Sequence, residues 1–197
     1  MDTSASTRDS PPAPFANEHA MPLHFSKPEM ARRRADAIHA LETAGLDALL
    51  MFKQESMYYL TGYDTFGFSL FQCLVLTAAG ERVLLTRLPD LRQAEYTSGL
   101  EDIRIWTDVE GVEPAHELEG LIAELGLRGK RLGIELDSYG LKAKAWDDIR
   151  QAMEEQYELV DASHLVDELR AVKSTEELVY VRRAAQLSDE AWREAIR

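Results

Sequence analysis

The feature that most constrains the fold is an alternation of short apolar runs with longer segments whose apolar residues recur at helical spacing. The mainly apolar runs at 48–52 and 70–77 are typical of buried strands, and a further strand is predicted at 131–136. A glycine-containing turn at 79–81 connects the second run to a strand at 82–86, which predicts an antiparallel hairpin. Helical segments separate the other strands and favour parallel pairing. The sequence therefore predicts an α/β fold with a mixed β-sheet flanked by helices on both faces.

Capping residues locate two of the predicted helices, one near the start of the chain and one after residue 163. Ser26 followed three residues later by Glu29 is a capping signal, and Gly45 is expected to end the helix that begins there. Ser163 is predicted to cap a shorter helix that runs through Leu169.

The last segment differs in kind from the rest of the chain. Ser174 and Glu177 form a second capping box, and an apolar stripe then continues without a closing Gly, Asn or Pro. We therefore predict three segments: an extended or disordered N-terminal tail at 1–25, an α/β domain at 26–172, and a linker with the opening helix of a second, truncated domain at 173–197.

Charge and hydropathy exclude several classes of partner. The formal net charge of −13 repels phosphate backbones, so we expect no nucleic-acid partner. The basic run Arg32–Arg34 lies in a helical pattern and is predicted to be a solvated helix surface, because consecutive residues fan around a helix axis. Residues 1–25 lack the apolar core of a secretory signal, and no later segment approaches a membrane-spanning length. We expect a cytoplasmic protein without membrane contact.

Residues for metal or nucleophilic chemistry do not cluster in the sequence. A two-metal hydrolase needs several His, Asp or Glu side chains that converge at fixed spacing. His39, His116 and His164 are isolated, and His19 and His24 fall in the predicted tail. The single cysteine lies in an apolar run, and no serine-nucleophile elbow or phosphate-binding loop is present. We therefore predict no catalytic residue, metal ligand or cofactor site in this chain.

An aromatic segment at 58–69 stands between two predicted core elements. Loops of this kind are often binding surfaces, because aromatic side chains supply large contact areas. The alternative is that its large side chains pack beneath the sheet. That alternative covers four residues, Tyr58, Leu60, Phe66 and Phe68.

Two separated motifs give this chain a family resemblance. Met57-Tyr58-Tyr59-Leu60-Thr61-Gly62 lies between an apolar strand and the aromatic loop, and Leu169-Arg170-Ala171-Val172-Lys173-Ser174 precedes the last helix. In this order they resemble the amino-terminal domain of the creatinase/prolidase/aminopeptidase P family of pita-bread metallohydrolases, over about residues 28–197. The resemblance implies a ribonuclease-H-like α/β fold and a homodimer. It places a pair of divalent metal ions (manganese, zinc or cobalt) in a catalytic domain that this chain lacks.

The resemblance also implies a role for the aromatic loop. In the family this loop reaches the active site of the neighbouring subunit, which makes Tyr63, Asp64, Phe66 and Phe68 the candidate substrate-contacting residues. Creatinases carry in this segment a Phe and, two positions later, an Arg that receives the substrate carboxylate. The aligned residues here are Phe68 and Leu70, and an apolar Leu70 cannot pair with a carboxylate.

The function implied is that of an accessory domain. It would support dimerisation and substrate access in a metal-dependent C–N hydrolase acting on small peptides or amides, such as an Xaa-Pro peptidase, and would be inactive alone. Two alternatives stay open: the same domain of a creatinase- or ectoine-hydrolase-type amidohydrolase, and a non-catalytic protein-binding module of pita-bread type.

Overall fold

A computed structural model describes residues 23–196 of the chain. The strands in this range are β1 (Ala48–Met51), β2 (Cys73–Thr77), β3 (Arg82–Arg87), β4 (Asp102–Trp106), β5 (Arg131–Ile134) and β6 (Glu158–Asp161). The helices are α1 (Lys27–Ala44), α2 (Gln54–Thr61), α3 (Leu91–Thr97), α4 (Pro114–Glu124), α5 (Ala143–Met153), α6 (Leu165–Ala171) and α7 (Thr175–Ala195). A short 3-10 turn, Leu88–Asp90, precedes α3.

The six strands form one mixed sheet in the order β4-β3-β2-β1-β5-β6. Strands β1, β2 and β3 pair antiparallel, and the β2–β3 pair is the predicted hairpin. The pairs β3–β4, β1–β5 and β5–β6 are parallel. The prediction of a mixed sheet is confirmed. Strand β1 is central, and its carboxyl end lies beside that of β5.

Side chains alternate between the two faces of the sheet and build two apolar cores. In β1, Leu50 faces a core formed with α4 and α5, whereas Leu49 faces a core formed with α1, α2 and α6. Helices therefore cover both faces, as predicted. Most of β1 and β2 is inaccessible to solvent, which explains why these strands are uninterrupted apolar runs in the sequence.

The predicted starts of α1 and α7, and the predicted end of α1, are confirmed by their capping contacts. The Ser26 hydroxyl accepts a hydrogen bond from the Glu29 amide at 3.2 Å, and Gly45 ends α1 with a φ of 64°. At α7, the Ser174 hydroxyl accepts from the Glu177 amide, and the Glu177 carboxylate accepts from the Ser174 amide at 2.7 Å. These contacts satisfy amide groups that a helix start otherwise leaves unpaired.

Three local predictions are wrong. The side chain of Ser163 does not cap α6: its hydroxyl donates to Asp161 and accepts from the Asp137 amide. Arg33 is not on a solvated surface, since only 1% of its side chain is exposed. The strand predicted to start at Leu70 begins three residues later, because the residues before Cys73 still belong to the connecting loop.

Helix α7 projects from the rest of the structure. None of its described residues is buried, and several large apolar side chains are exposed: Val179, Tyr180, Val181, Leu187 and Trp192. The predicted amphipathic helix is thus present, with its apolar side chains uncovered. Its assignment to a second domain stays a prediction. The greater part of the predicted tail, 1–22, and with it His19, lies outside the described residues.

Candidate functional site

The candidate site lies where β1 and β5 end. A buried carboxyl group holds the start of α2 in place there. Glu135 follows β5, and its carboxylate accepts hydrogen bonds from the amides of Phe52 and Lys53 at 2.9 and 2.8 Å and from the Ser56 hydroxyl at 2.5 Å. These contacts attach the start of α2 to the sheet. Burial raises the pKa of Glu135 to about 7, although each of these hydrogen bonds favours the charged form.

The loop after α2 is anchored from inside the protein. Gly62 ends α2 with a φ of 81°, a conformation that suits glycine. Tyr63 then turns inward, and its hydroxyl donates to Gln72 Oε1 at 2.6 Å. The hydroxyl of Thr65 accepts from the Gly67 amide at 2.9 Å. Because these contacts fix the loop, the outward side chains between them stand on a defined backbone.

The structure does not gather the four predicted site residues at one point. Tyr63 is fully buried in the core that faces α1 and α2, whereas Asp64 is exposed. Phe66 and Phe68 point to solvent, with 88% and 51% of each residue exposed. The alternative that these phenylalanines pack beneath the sheet is therefore wrong for both, although it holds for the buried Leu60. That any of these residues contacts substrate stays a prediction.

One aromatic residue of this surface was missed in the sequence. Tyr139, in the connection from β5 to α5, is 57% exposed and lies edge-on to Phe68, with 5.8 Å between ring centroids. Its hydroxyl donates to Glu55 at 2.9 Å. A Cβ on Gly140 would collide with the Phe52 carbonyl oxygen, so glycine is required next to the displayed tyrosine. The sequence signal that could have identified Tyr139 is an aromatic residue directly before a glycine, in the connection that follows a buried strand.

A cavity of about 450 Å³ lies between α2 and the connection from α6 to α7. Predicted site residue Asp64 lines it, together with His24, Phe25, Arg33, Gln54, Glu55, Tyr58, Tyr59, Arg170, Lys173 and Glu177. The cavity thus joins the end of the aromatic loop to the first turn of α7.

The buried Arg33 guanidinium closes one side of this cavity. It lies 2.9 Å from Glu29 and 3.2 Å from Glu177, and it donates to the Tyr59 carbonyl oxygen at 3.2 Å. The rings of Phe25 and Tyr59 also contact it, at 3.8 and 4.5 Å from the ring centroids. Arg33 therefore connects three parts of the structure: the segment before α1, helix α2 and helix α7.

The part of the chain that the structure describes has neither a grouped set of metal-ligand side chains nor an activated thiol. Between residues 23 and 196, no three His, Cys, Asp or Glu side chains are grouped so as to hold a metal ion. Burial raises the pKa of the Cys73 thiol well above its usual range, which disfavours the reactive thiolate. No helix among these residues is long and apolar enough to cross a membrane.

Fold and site together define an α/β domain that displays an aromatic loop at the carboxyl edge of a mixed sheet. The family model described as Creatinase/Prolidase N-terminal domain matches residues 33–172, and the chain belongs to this family. The resemblance read from the sequence is confirmed.

Individual relatives are hydrolases and peptidases. The chain is 29% identical to an ectoine hydrolase of Halomonas elongata, over 84% of this chain and 43% of that protein. It is 27% identical to an uncharacterized hydrolase/peptidase of Sinorhizobium fredii, over 88% of this chain and 46% of that protein. The chain therefore spans less than half the length of these relatives. The structure of an Xaa-Pro dipeptidase from Bacillus anthracis superposes with a TM-score of 0.69 at 20% identity, covering 85% of this chain and 43% of that one, and shows a shared fold.

Proposed function

We propose that this chain is the accessory domain of a cytoplasmic, homodimeric, metal-dependent C–N hydrolase of Xaa-Pro peptidase type. In this proposal it supports dimerisation and substrate access and is inactive alone. The divalent metal pair (manganese, zinc or cobalt) belongs to a catalytic domain outside the described residues, and the substrate is a small peptide or amide.

The observation that carries the proposal is the exposure of Phe66 and Phe68 on an internally anchored loop of a creatinase/prolidase N-terminal domain. Exposing large aromatic side chains forgoes the free energy that their burial would contribute. The loop conformation does not depend on these two side chains, because the residues that anchor it are Tyr63, Thr65 and Gln72. A contact with a substrate or a second subunit would account for the exposure of these two side chains.

The experiment replaces Phe68 by Ala in the product of the complete gene. We expect kcat/KM for a small Xaa-Pro peptide to fall about tenfold or more, because a positioning contact is lost, while the melting temperature stays within about 2 °C. Leu88→Ala is the matched control, since Leu88 is a comparably exposed apolar residue on another connection. Unchanged efficiency in a folded Phe68→Ala enzyme would contradict the role of this side chain.

Subunit mixing tests whether the contact is made in trans. A Phe68→Ala subunit retains its own metal site, and a subunit disabled at the metal site retains Phe68. If the loop serves the neighbouring active site, mixed dimers of the impaired and the inactive variant recover parental efficiency at one of their two sites. If the loop acts within its own subunit, mixing recovers nothing.

A small-molecule amidohydrolase is the second candidate function. The similarity to an ectoine hydrolase favours it, as does the 28% identity to a creatinase of a Bacillus species over 84% of this chain. Leu70 aligns with the creatinase Arg that receives the substrate carboxylate, which argues against creatine as the substrate. Activity of the complete gene product on ectoine, with none on Xaa-Pro peptides, would favour this candidate over the first.

A further inference from the structure

The cavity beside Asp64 has a charge composition that differs from that of the whole chain. Its lining contains three cationic side chains, Arg33, Arg170 and Lys173, and three carboxylates, Glu55, Asp64 and Glu177. The chain as a whole carries a formal net charge of −13. A lining that balances its charges within such an acidic chain favours neither a simple anion nor a simple cation.

The two signs of charge come from different elements. Glu55 and Asp64 belong to α2 and the loop that follows it, whereas Arg170 and Lys173 belong to the end of α6 and its connection to α7. Half-buried Tyr58 lines the same cavity from α2. The cavity therefore offers an acidic wall, a basic wall and an aromatic side chain.

Hydrogen bonds hold these walls in place. The Tyr58 hydroxyl is 2.6 Å from Nδ1 of His24, and the Tyr180 hydroxyl donates to the His24 carbonyl oxygen at 2.7 Å. The capping box of α7 fixes the backbone next to Lys173. A ligand would thus meet walls that are largely formed before it binds, which lowers the entropic cost of binding.

Three of the lining charges, those of Glu55, Asp64 and Lys173, have no ion pair within residues 23–196. The Glu55 carboxylate accepts a hydrogen bond from the Tyr139 hydroxyl. Arg33 is paired with Glu177, and Arg170 lies 3.2 Å from Asp167. Asp64 makes no such pair, and the Lys173 ammonium contacts only backbone carbonyl oxygens. The Asp64 carboxylate and the Lys173 ammonium therefore line one cavity, and neither forms an ion pair among the described residues.

We propose that this cavity binds a small zwitterion. The ligand's ammonium group pairs with Asp64, its carboxylate pairs with Lys173 and Arg170, and its apolar body lies against Tyr58. Charge-assisted hydrogen bonds at both ends select a molecule that carries both charges over one that carries either alone. The volume of about 450 Å³ lies in the range of small-molecule sites. This binding requires no catalysis, so it stands whether or not the proposed hydrolase function does.

The test is a titration of the 197-residue chain, followed by amide resonances in two-dimensional NMR. The probes are 6-aminohexanoate, hexanoate and hexylammonium, which share a chain and differ in charge, with β-alanine and 4-aminobutyrate as shorter zwitterions. We expect the preferred zwitterion to bind about tenfold more tightly than either singly charged probe and to shift resonances of Tyr58, Asp64 and Lys173. Equal affinities for all probes, or no saturable binding, would overturn the proposal.

Variants assign the two ends of the ligand. Asp64→Asn is expected to reduce affinity for the zwitterion to that for hexanoate. Lys173→Gln is expected to reduce it toward that for hexylammonium, because only Arg170 then remains to pair with the carboxylate. The controls are Asp108→Asn and Lys142→Gln, which change the same charges at exposed positions outside the cavity lining. If the controls weaken binding as much as the cavity variants do, the effect is one of net charge and the proposal is wrong.

Discussion

At the residue scale, the carboxyl of Glu135 couples the folded state to pH. Its pKa is raised to about 7 by burial, above the usual value of a glutamate in an unfolded chain. Between these two values the folded protein holds a proton that the unfolded chain has released. Stability from this group is therefore greatest at low pH and falls as pH rises toward 7, by about 3 kcal/mol at about 1.4 kcal/mol per pKa unit.

The substitution Glu135→Gln isolates this effect. A glutamine oxygen can still accept from the amides of Phe52 and Lys53, and no charge has to be buried. We expect the variant to be more stable than the parent at pH 8 and to lose the fall in stability between pH 5 and 7. Urea unfolding of both proteins at several pH values measures this difference.

An exposed carboxyl serves as the control for Glu135. Glu155 is exposed after α5, and Glu155→Gln changes the same charge without relieving burial. Its stability should follow the pH dependence of the parent. Parallel stability curves for Glu135→Gln and the parent would mean that Glu135 titrates in the folded state as it does in the unfolded chain.

Arg33 provides a second prediction at this scale. Replacing it by Met removes the partner of Glu177 and one partner of Glu29 in a buried site, and we expect a loss of about 3–5 kcal/mol. Arg32→Met is the matched control: Arg32 also pairs with Glu29 but is 45% exposed, so a loss of about 1 kcal/mol or less is expected. Chemical unfolding distinguishes the two, and equal losses would contradict the role assigned to burial.

Neither of these residues could be identified from the sequence, and the reason is physical. Glu135 bonds residues 79–83 positions away. Arg33 contacts Tyr59 and Glu177, which are distant in sequence, in addition to the nearby Phe25 and Glu29. Local patterns report helical or strand spacing, whereas partners of this kind are set by the packing of the sheet. The basic run at 32–34 therefore looked uniformly solvated although its middle member is buried.

At the element scale, the sequence was informative wherever burial or capping produces a short-range pattern. Strands β1 and β2 consist almost entirely of apolar residues because both faces of the sheet are covered. The ends of α1 and α7 were predictable because a cap lies within three residues of its helix. The sequence did not predict which residues of the loop from α2 to β2 are buried, since alternate residues of one aromatic segment point inward and outward. Tyr63 and Phe66 look alike in sequence and differ completely in exposure.

The edge strand β4 gives a prediction at this scale. Among residues 23–196 it pairs only with β3, and Arg104, which lies 2.5 Å from Asp102, places a positive charge in the middle of the strand. Charged side chains on an edge oppose pairing with other molecules. We expect Arg104→Val to increase self-association on mild heating, measured by light scattering, with a stability change of about 1 kcal/mol or less. Arg128→Val, at an exposed position outside any strand, is the control and should leave scattering unchanged.

At the scale of the whole molecule, α7 belongs to two environments. Its first turns are attached to the α/β domain: Glu176 accepts from the amide and hydroxyl of Ser26 at 3.0 and 2.6 Å, and Tyr180 packs edge-on against Phe25. Farther along, the hydrogen bond of Ser188 and the ion pair of Arg193 stay within α7. The first turns of α7 therefore contact the α/β domain, and the boundary at 172 stays a prediction.

Two truncations test where the independently stable domain ends. A chain that stops after Arg183 keeps Glu176, Glu177 and Tyr180, and its melting temperature should lie within about 2 °C of that of the 197-residue chain. A chain that stops after Val172 loses the partner of buried Arg33, at a cost of about 3 kcal/mol, or about 6–12 °C. Calorimetry measures both. Equal melting temperatures for the two truncations would show that the first turns of α7 contribute nothing to stability, and would support the predicted boundary at 172. A large loss in the longer truncation would instead show that the projecting turns stabilise this domain, and the apolar side chains of α7 would then need a partner within it.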